Sequence, residues 1–134
     1  MQAALAVSRA GLAAWRAYTP RMRDLLPDIF TAWFAGRGWQ IHPHQQAMLE
    51  RAGAPALLLV APTGGGKTLA GFLPTLAELA DGRHTGLHTL YVSPLKALAA
   101  DIRRNLRVPV EEMGLPVRIE DRTGDTSATA KRRQ

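Results

Sequence analysis

The sequence predicts an α/β fold, a parallel sheet flanked by helices, with a helical segment ahead of it at the N-terminus. Three observations lead there. The continuous apolar run Ala56-Leu57-Leu58-Leu59-Val60-Ala61 has the pattern of a strand buried on both faces. It runs into a glycine-rich loop and then an amphipathic stretch, in the order strand, loop, helix. A second apolar run, Thr89-Leu90-Tyr91-Val92-Ser93, leads through Pro94 into another helical stretch, so that strands and helices alternate.

Composition sets the bounds. A chain of 134 residues holds one compact domain or part of a larger one. With 46% hydrophobic and 21% charged residues, a wholly disordered chain is excluded. The longest apolar run, residues 54–62, falls short of the roughly 20 residues of a membrane span. No cysteine is present, which excludes disulfides, thiolate metal sites and a cysteine nucleophile. The expected setting is a reducing one, the cytoplasm. Lysine plus arginine total 17 against 11 acids, a formal charge of +6, and 14 of the 17 cations are arginine. Arginine pairs bidentately with phosphates, so a polyanionic partner is expected.

Residues 1–25 read as a helical or disordered leader. The segment is alanine-rich, carries Arg9, Arg16, Arg21 and Arg23 before its first acid, and is closed by Thr19-Pro20. Its arginines interrupt any secretory apolar core, while the composition also suits an organellar transit peptide. A short helix is expected over residues 28–35, opened by Pro27 and stopped by Gly36 and Gly38. Its apolar stripe of Ile29, Phe30, Trp33 and Phe34 is a core face.

The chemistry concentrates in Pro62-Thr63-Gly64-Gly65-Gly66-Lys67-Thr68. Glycines permit backbone conformations closed to other residues and let N–H groups reach an oxygen cluster. Together with the N-terminus of the following helix they form an anion cradle, expected from Thr63, Gly64, Gly65 and Gly66. Lys67 can set a compact cation against β and γ phosphates, and Thr68 can offer its hydroxyl to Mg²⁺. The loop's first position is Ala61 where the common spacing has glycine. Pro74 is expected to kink the helix that follows or remove one of its hydrogen bonds.

Other residues add to this. Gln45 opens a helical stretch before the loop, and an amide presents the donor and acceptor pair that suits adenine; Trp39 or Phe34 could cover the base. His42 and His44 are an incomplete metal set, with no cysteine or nearby acid. Lys96 lies in the first turn after Pro94-Leu95, placed to hold a nucleic-acid phosphate. Leu115-Pro116-Val117-Arg118-Ile119 is a weaker third strand. The acids Glu120 and Asp121 after it do not suit a Mg²⁺-binding strand end, because Arg118 interrupts the run. Thr123-Gly124-Asp125 reads as a turn facing a phosphate backbone.

Taken together, Gln45, Ala61 to Thr68, Ser93-Pro94-Leu95-Lys96-Ala97-Leu98 and Arg122-Thr123-Gly124-Asp125-Thr126 resemble superfamily 2 helicases of the DEAD/DEAH-box type. The wording looks most like the large-helicase-related (Lhr) family and its ligase-associated DEXH-box group. The resemblance implies a RecA-like P-loop domain, with residues 26–134 as the N-terminal, incomplete part of its first ATP-binding domain. It implies ATP and Mg²⁺ as cofactors, and a nucleic-acid partner, DNA rather than RNA, in a DNA-repair setting. On that pattern Gln45 senses adenine, Thr63 to Thr68 hold the nucleotide with Lys67 and Thr68 catalytic, and Thr68 binds Mg²⁺. Pro94, Leu95, Lys96, Thr123, Gly124 and Asp125 touch nucleic acid.

No Asp-Glu-x-His box occurs in the sequence. The chain is therefore expected to be the amino-terminal piece of a longer polypeptide, and inactive in ATP turnover by itself. Two other readings fit the loop: another P-loop ATPase, or a non-enzymatic basic module that grips backbone phosphate.

Overall fold

The computed structural model describes residues 25–62, 64–124 and 126–133. The leader expected over residues 1–25 thus lies almost wholly outside the described residues. The described elements are all helical: α1 Asp28–Gly36, α2 Pro43–Glu50, α3 Lys67–Leu79, α4 Lys96–Met113 and α5 Ala128–Arg133. They fall into two compact units, one up to Glu78 and one from Leu79 onward.

This corrects the expected fold class. Among the described residues there is no strand and no sheet, so the parallel sheet of a RecA-like domain is not formed. The runs at 56–61, 89–93 and 115–119 are irregular and unladdered. The reason is that a strand is not a local structure. Each N–H and C=O needs a partner on a neighbouring strand, and an apolar sequence cannot supply one by itself. In the first two runs side chains accordingly stand in the open, with Leu58 90% exposed, Val60 81% and Val92 79%, while Leu115 of the third is buried.

In the first unit the core comes from helix faces. Phe30 and Phe34, one turn apart on α1, are fully buried with Leu26, Ile41, Leu49, Ala70, Leu73 and Leu76. Ile29, expected on the same stripe, is exposed. Helix α1 closes in a Schellman arrangement: Gly38 N–H donates to Ala35 O and Trp39 N–H to Phe34 O, both at 3.0 Å. Gly38 takes φ +65, which this cap requires. Helix α3 presents Ala70, Leu73 and Leu76 inward and holds Pro74 in its interior.

The second unit is built on α4. Ile102, Leu106, Val110 and Met113 recur at intervals of four and three residues and make one buried face. Pro109 sits inside this helix and is buried. Gly114 at φ +62 ends α4, with Leu115 N–H donating to Val110 O at 2.9 Å. Val117 N–H then donates to Leu115 O at 2.8 Å, a tight turn that replaces the start of the expected third strand.

Candidate phosphate loop and nucleic-acid turn

The loop between Ala61 and α3 is shaped by two left-handed glycines, Gly64 at φ +80 and Gly66 at φ +69. Gly65 N–H donates to Pro62 O at 3.1 Å and closes a turn; Ala70 N–H donates to Gly66 O at 2.9 Å and starts α3. Lys67 bends back over the loop. Its Nζ donates to Ala61 O and Pro62 O, each at 2.7 Å. The ammonium thus lies against the loop's own carbonyl oxygens. Thr68 follows in the first turn of α3, half-buried. Thr63, expected to contribute to the cradle, lies outside the described residues.

Two of the glycines stand in tight space. A Cβ on Gly65 would stand 3.1 Å from Pro62 O, a contact with backbone that cannot move aside. A Cβ on Gly66 would stand 3.0 Å from Gln45 Nε2. A Cβ at residue 65 would press on loop backbone, and one at residue 66 on the end of the Gln45 side chain.

Helix α2 braces this loop. Gln45, only 3% exposed, accepts at Oε1 from His42 N–H at 2.9 Å, the reach-back bond of a capping box. Its Nε2 points to Gly66 O at 3.5 Å. Gln45 is therefore held in this structure by its own helix start and by the loop. His44 joins it, with Nε2 2.6 Å from Gly65 O. A carbonyl only accepts, so this nitrogen carries the proton. The His44 ring stacks on His42 at 5.3 Å between centroids and 8° between planes. Sequence reasoning weighed these histidines only as metal ligands, and no sequence signal marks a contact across 21 residues. Among the described residues no group of three or more His, Cys, Asp or Glu is placed to hold a metal ion.

Phe34, at 1% exposure, is core and offers no face to a base. Trp39 is 47% exposed. The Arg37 guanidinium lies 4.8 Å from the Trp39 ring centre and 5.0 Å from that of Trp33.

The second unit gathers the other predicted contacts. Pro94 and Leu95 are exposed, Leu95 is the N-cap of α4, and Ser93 Oγ accepts from Leu95 N–H at 3.3 Å. Lys96 opens the helix, and its Nζ lies 3.8 Å from where Gly124 would carry a Cβ. Thr123 and Thr126 close the turn: Thr123 N–H donates to Thr126 Oγ1 at 2.8 Å and Thr126 N–H to Thr123 O at 3.2 Å. Lys131 Nζ approaches Gly124 O at 3.4 Å. Asp125 lies outside the described residues. Asp121 is ion-paired to Arg103 at 2.7 Å and Glu120 to Arg118 at 3.2 Å, so both acids of the 120–121 pair are engaged by cations.

With this geometry in view, the family comparison is decisive. The model of the DEAD/DEAH box helicase family matches residues 42–134, which includes both the loop and the turn. The chain belongs to the DEAD/DEAH box helicase family. Lhr-type helicases of this family are its relatives. It is 39% identical to the ATP-dependent helicase Lhr-Core protein 2 of Thermococcus barophilus over 90% of this chain and 16% of that one. It is 47% identical to the Lhr helicase/probable uracil glycosylase of Mycolicibacterium smegmatis over 56% of this chain and 6% of the other. The Lhr helicase/uracil glycosylase of Escherichia coli is 35% identical over 81% of this chain and 9% of its own length. The chain thus spans less than a fifth of each of these relatives. No solved structure matches it. Among the described residues no helix is long and apolar enough to cross a membrane.

Proposed function

We propose that this chain supplies the ATP-binding loop and part of the nucleic-acid contact surface of an ATP-dependent helicase of the Lhr type, acting on DNA. The finer ligase-associated grouping belongs to the same proposal and rests on the wording of residues 94–98 and 122–126.

The observation that carries it is the position of Lys67. Its ammonium is held by two carbonyl oxygens at the mouth of a bend that glycines keep free of side chains. It is a cation beside the N-terminus of a 13-residue helix, the end at which backbone N–H groups lack intrahelical partners and anions are favoured. Bound ATP with Mg²⁺ would supply a transferable γ-phosphoryl group together with its counter-charge. Lys67 would exchange carbonyl oxygens for phosphate oxygens, the amides of Gly64, Gly66 and Lys67 would donate to the remaining phosphate oxygens, and Thr68 would offer its hydroxyl to the metal. Gln45 fixes the loop from beneath.

Strand binding falls to the second unit. Lys96 and Lys131 converge on Gly124, and the Thr123–Thr126 turn offers an amide and hydroxyls to a backbone phosphate. Such contacts position the strand without reading its sequence.

Paired titrations test this reading. Lys67→Ala should abolish MgATP binding while leaving affinity for single-stranded DNA nearly unchanged. Equal loss of both would mean that the loop grips backbone phosphate instead.

A further inference from the structure

We propose that His44 is a positioning residue of the phosphate loop. It turns the carbonyl of Gly65 toward α2, leaving the Gly66 amide to face an anion. The inference rests on the nucleotide-binding reading above and adds to it a residue that the loop motif does not contain.

The geometry is specific. His44 and Gln45 are consecutive in the first turn of α2, and they engage consecutive carbonyls, Gly65 O at 2.6 Å and Gly66 O at 3.5 Å. A peptide unit is planar, so a carbonyl pinned on one side directs the N–H of the next residue to the other. Pinning Gly65 O orients the Gly66 amide, whereas Gly66 O is already directed along α3 by the Ala70 N–H at 2.9 Å. Glycine has almost no intrinsic preference among such orientations, so three in succession need an external constraint. The His44 contact is the shorter of the two.

The ring is itself braced. It stacks on His42, whose backbone N–H donates to Gln45 Oε1 at 2.9 Å. Pro43 opens the same turn, with its φ already restricted to helical values. The first turn of α2 is therefore a preformed wedge, and Gln45 serves it as a strut. In this structure the Gln45 Oε1 is engaged by the His42 N–H.

The experiment uses three forms of the whole chain: wild type, His44→Gln and His44→Phe. Glutamine carries a donor nitrogen at about the reach of the ring Nε2, whereas phenylalanine keeps the ring and removes the donor. Two readouts are taken, the affinity for MgATP and for inorganic tripolyphosphate, and the ¹⁵N shift of the Gly66 amide without ligand. That nitrogen belongs to the peptide whose carbonyl His44 pins.

His44→Phe should weaken both ligands by about fivefold, the equivalent of one lost hydrogen bond, with His44→Gln within about twofold of wild type. The Gly66 nitrogen should move in the phenylalanine variant and stay in the glutamine one. Wild-type-like affinity and an unmoved Gly66 signal in His44→Phe would overturn the proposal. Loss of ATP affinity with unchanged tripolyphosphate affinity would also overturn it, because the effect would then lie at the base. If the wild type binds neither ligand while the Gly66 signal moves as expected, the nucleotide reading fails and the clamp stands as a structural contact alone, which removes the positioning role.

Discussion

Gln45 and Gly66 are close-packed: Gln45 Nε2 stands 3.0 Å from the point where residue 66 would carry a Cβ, so a side chain there must push the amide aside. Gly66 also has φ +69, a conformation that costs an L-residue roughly 1–2 kcal/mol. Gly66→Ala should therefore combine backbone strain with displacement of a buried amide. Gly64, at φ +80 with open space around its Cβ position, carries the strain alone. Titration with MgATP should show Gly66→Ala losing clearly more affinity than Gly64→Ala. Equal losses would mean that the approach of Gln45 contributes nothing.

The apolar runs make an opposite prediction for stability. Leu58, 90% exposed, should tolerate Leu58→Ala with a change within about 0.5 kcal/mol in urea denaturation. A leucine buried in a sheet would lose about 2–5 kcal/mol on the same substitution. Denaturation curves of the two proteins separate the cases. A loss near 3 kcal/mol would reinstate the buried strand.

Lys96 meets the Thr123–Thr126 turn beside Gly124, so its substitution should act on phosphate and not on sequence. Lys96→Ala should weaken single-stranded DNA of any sequence to a similar degree and lower the salt slope of binding by about 1. Fluorescence titrations over a range of salt measure both. An unchanged slope would place Lys96 outside the interface.

Arg103 and Asp121 tie the stretch before that turn to α4 through a 2.7 Å ion pair that is partly exposed. A double-mutant cycle with Arg103→Ala and Asp121→Ala should give a coupling of about 0.5–1 kcal/mol, shrinking with salt. A coupling near zero at low salt would show that the pair does not hold the segment.

Much of this was legible in the sequence where the signal is local. The Phe30 and Phe34 spacing, Gly38 as a cap and the loop from Gly64 to Thr68 each follow from residue type and short-range order. The full length of α4 was written in Ile102, Leu106, Val110 and Met113, but Pro109 interrupts the reading. The sheet was not recoverable in this way. Residues 56–61 and 89–93 have the composition of buried strands, yet composition does not supply the pairing partner that makes a strand. The expectation that the loop hangs from a sheet edge accordingly fails, and the loop is lined by the ammonium of its own Lys67. The nucleotide reading stands on the loop's geometry and on the family match over residues 42–134, without support from a sheet. His44 was invisible because its meaning depends on Gly65, 21 residues away.

Everything functional here turns on Lys67 trading the oxygens of Ala61 and Pro62 for those of a triphosphate. Calorimetric titration of MgATP into the wild-type chain and Lys67→Met side by side tests that exchange directly. The wild type should bind with one-to-one stoichiometry, and the variant at least about tenfold more weakly, as expected when a charge-assisted contact is lost. Indistinguishable isotherms for the two proteins would contradict the account.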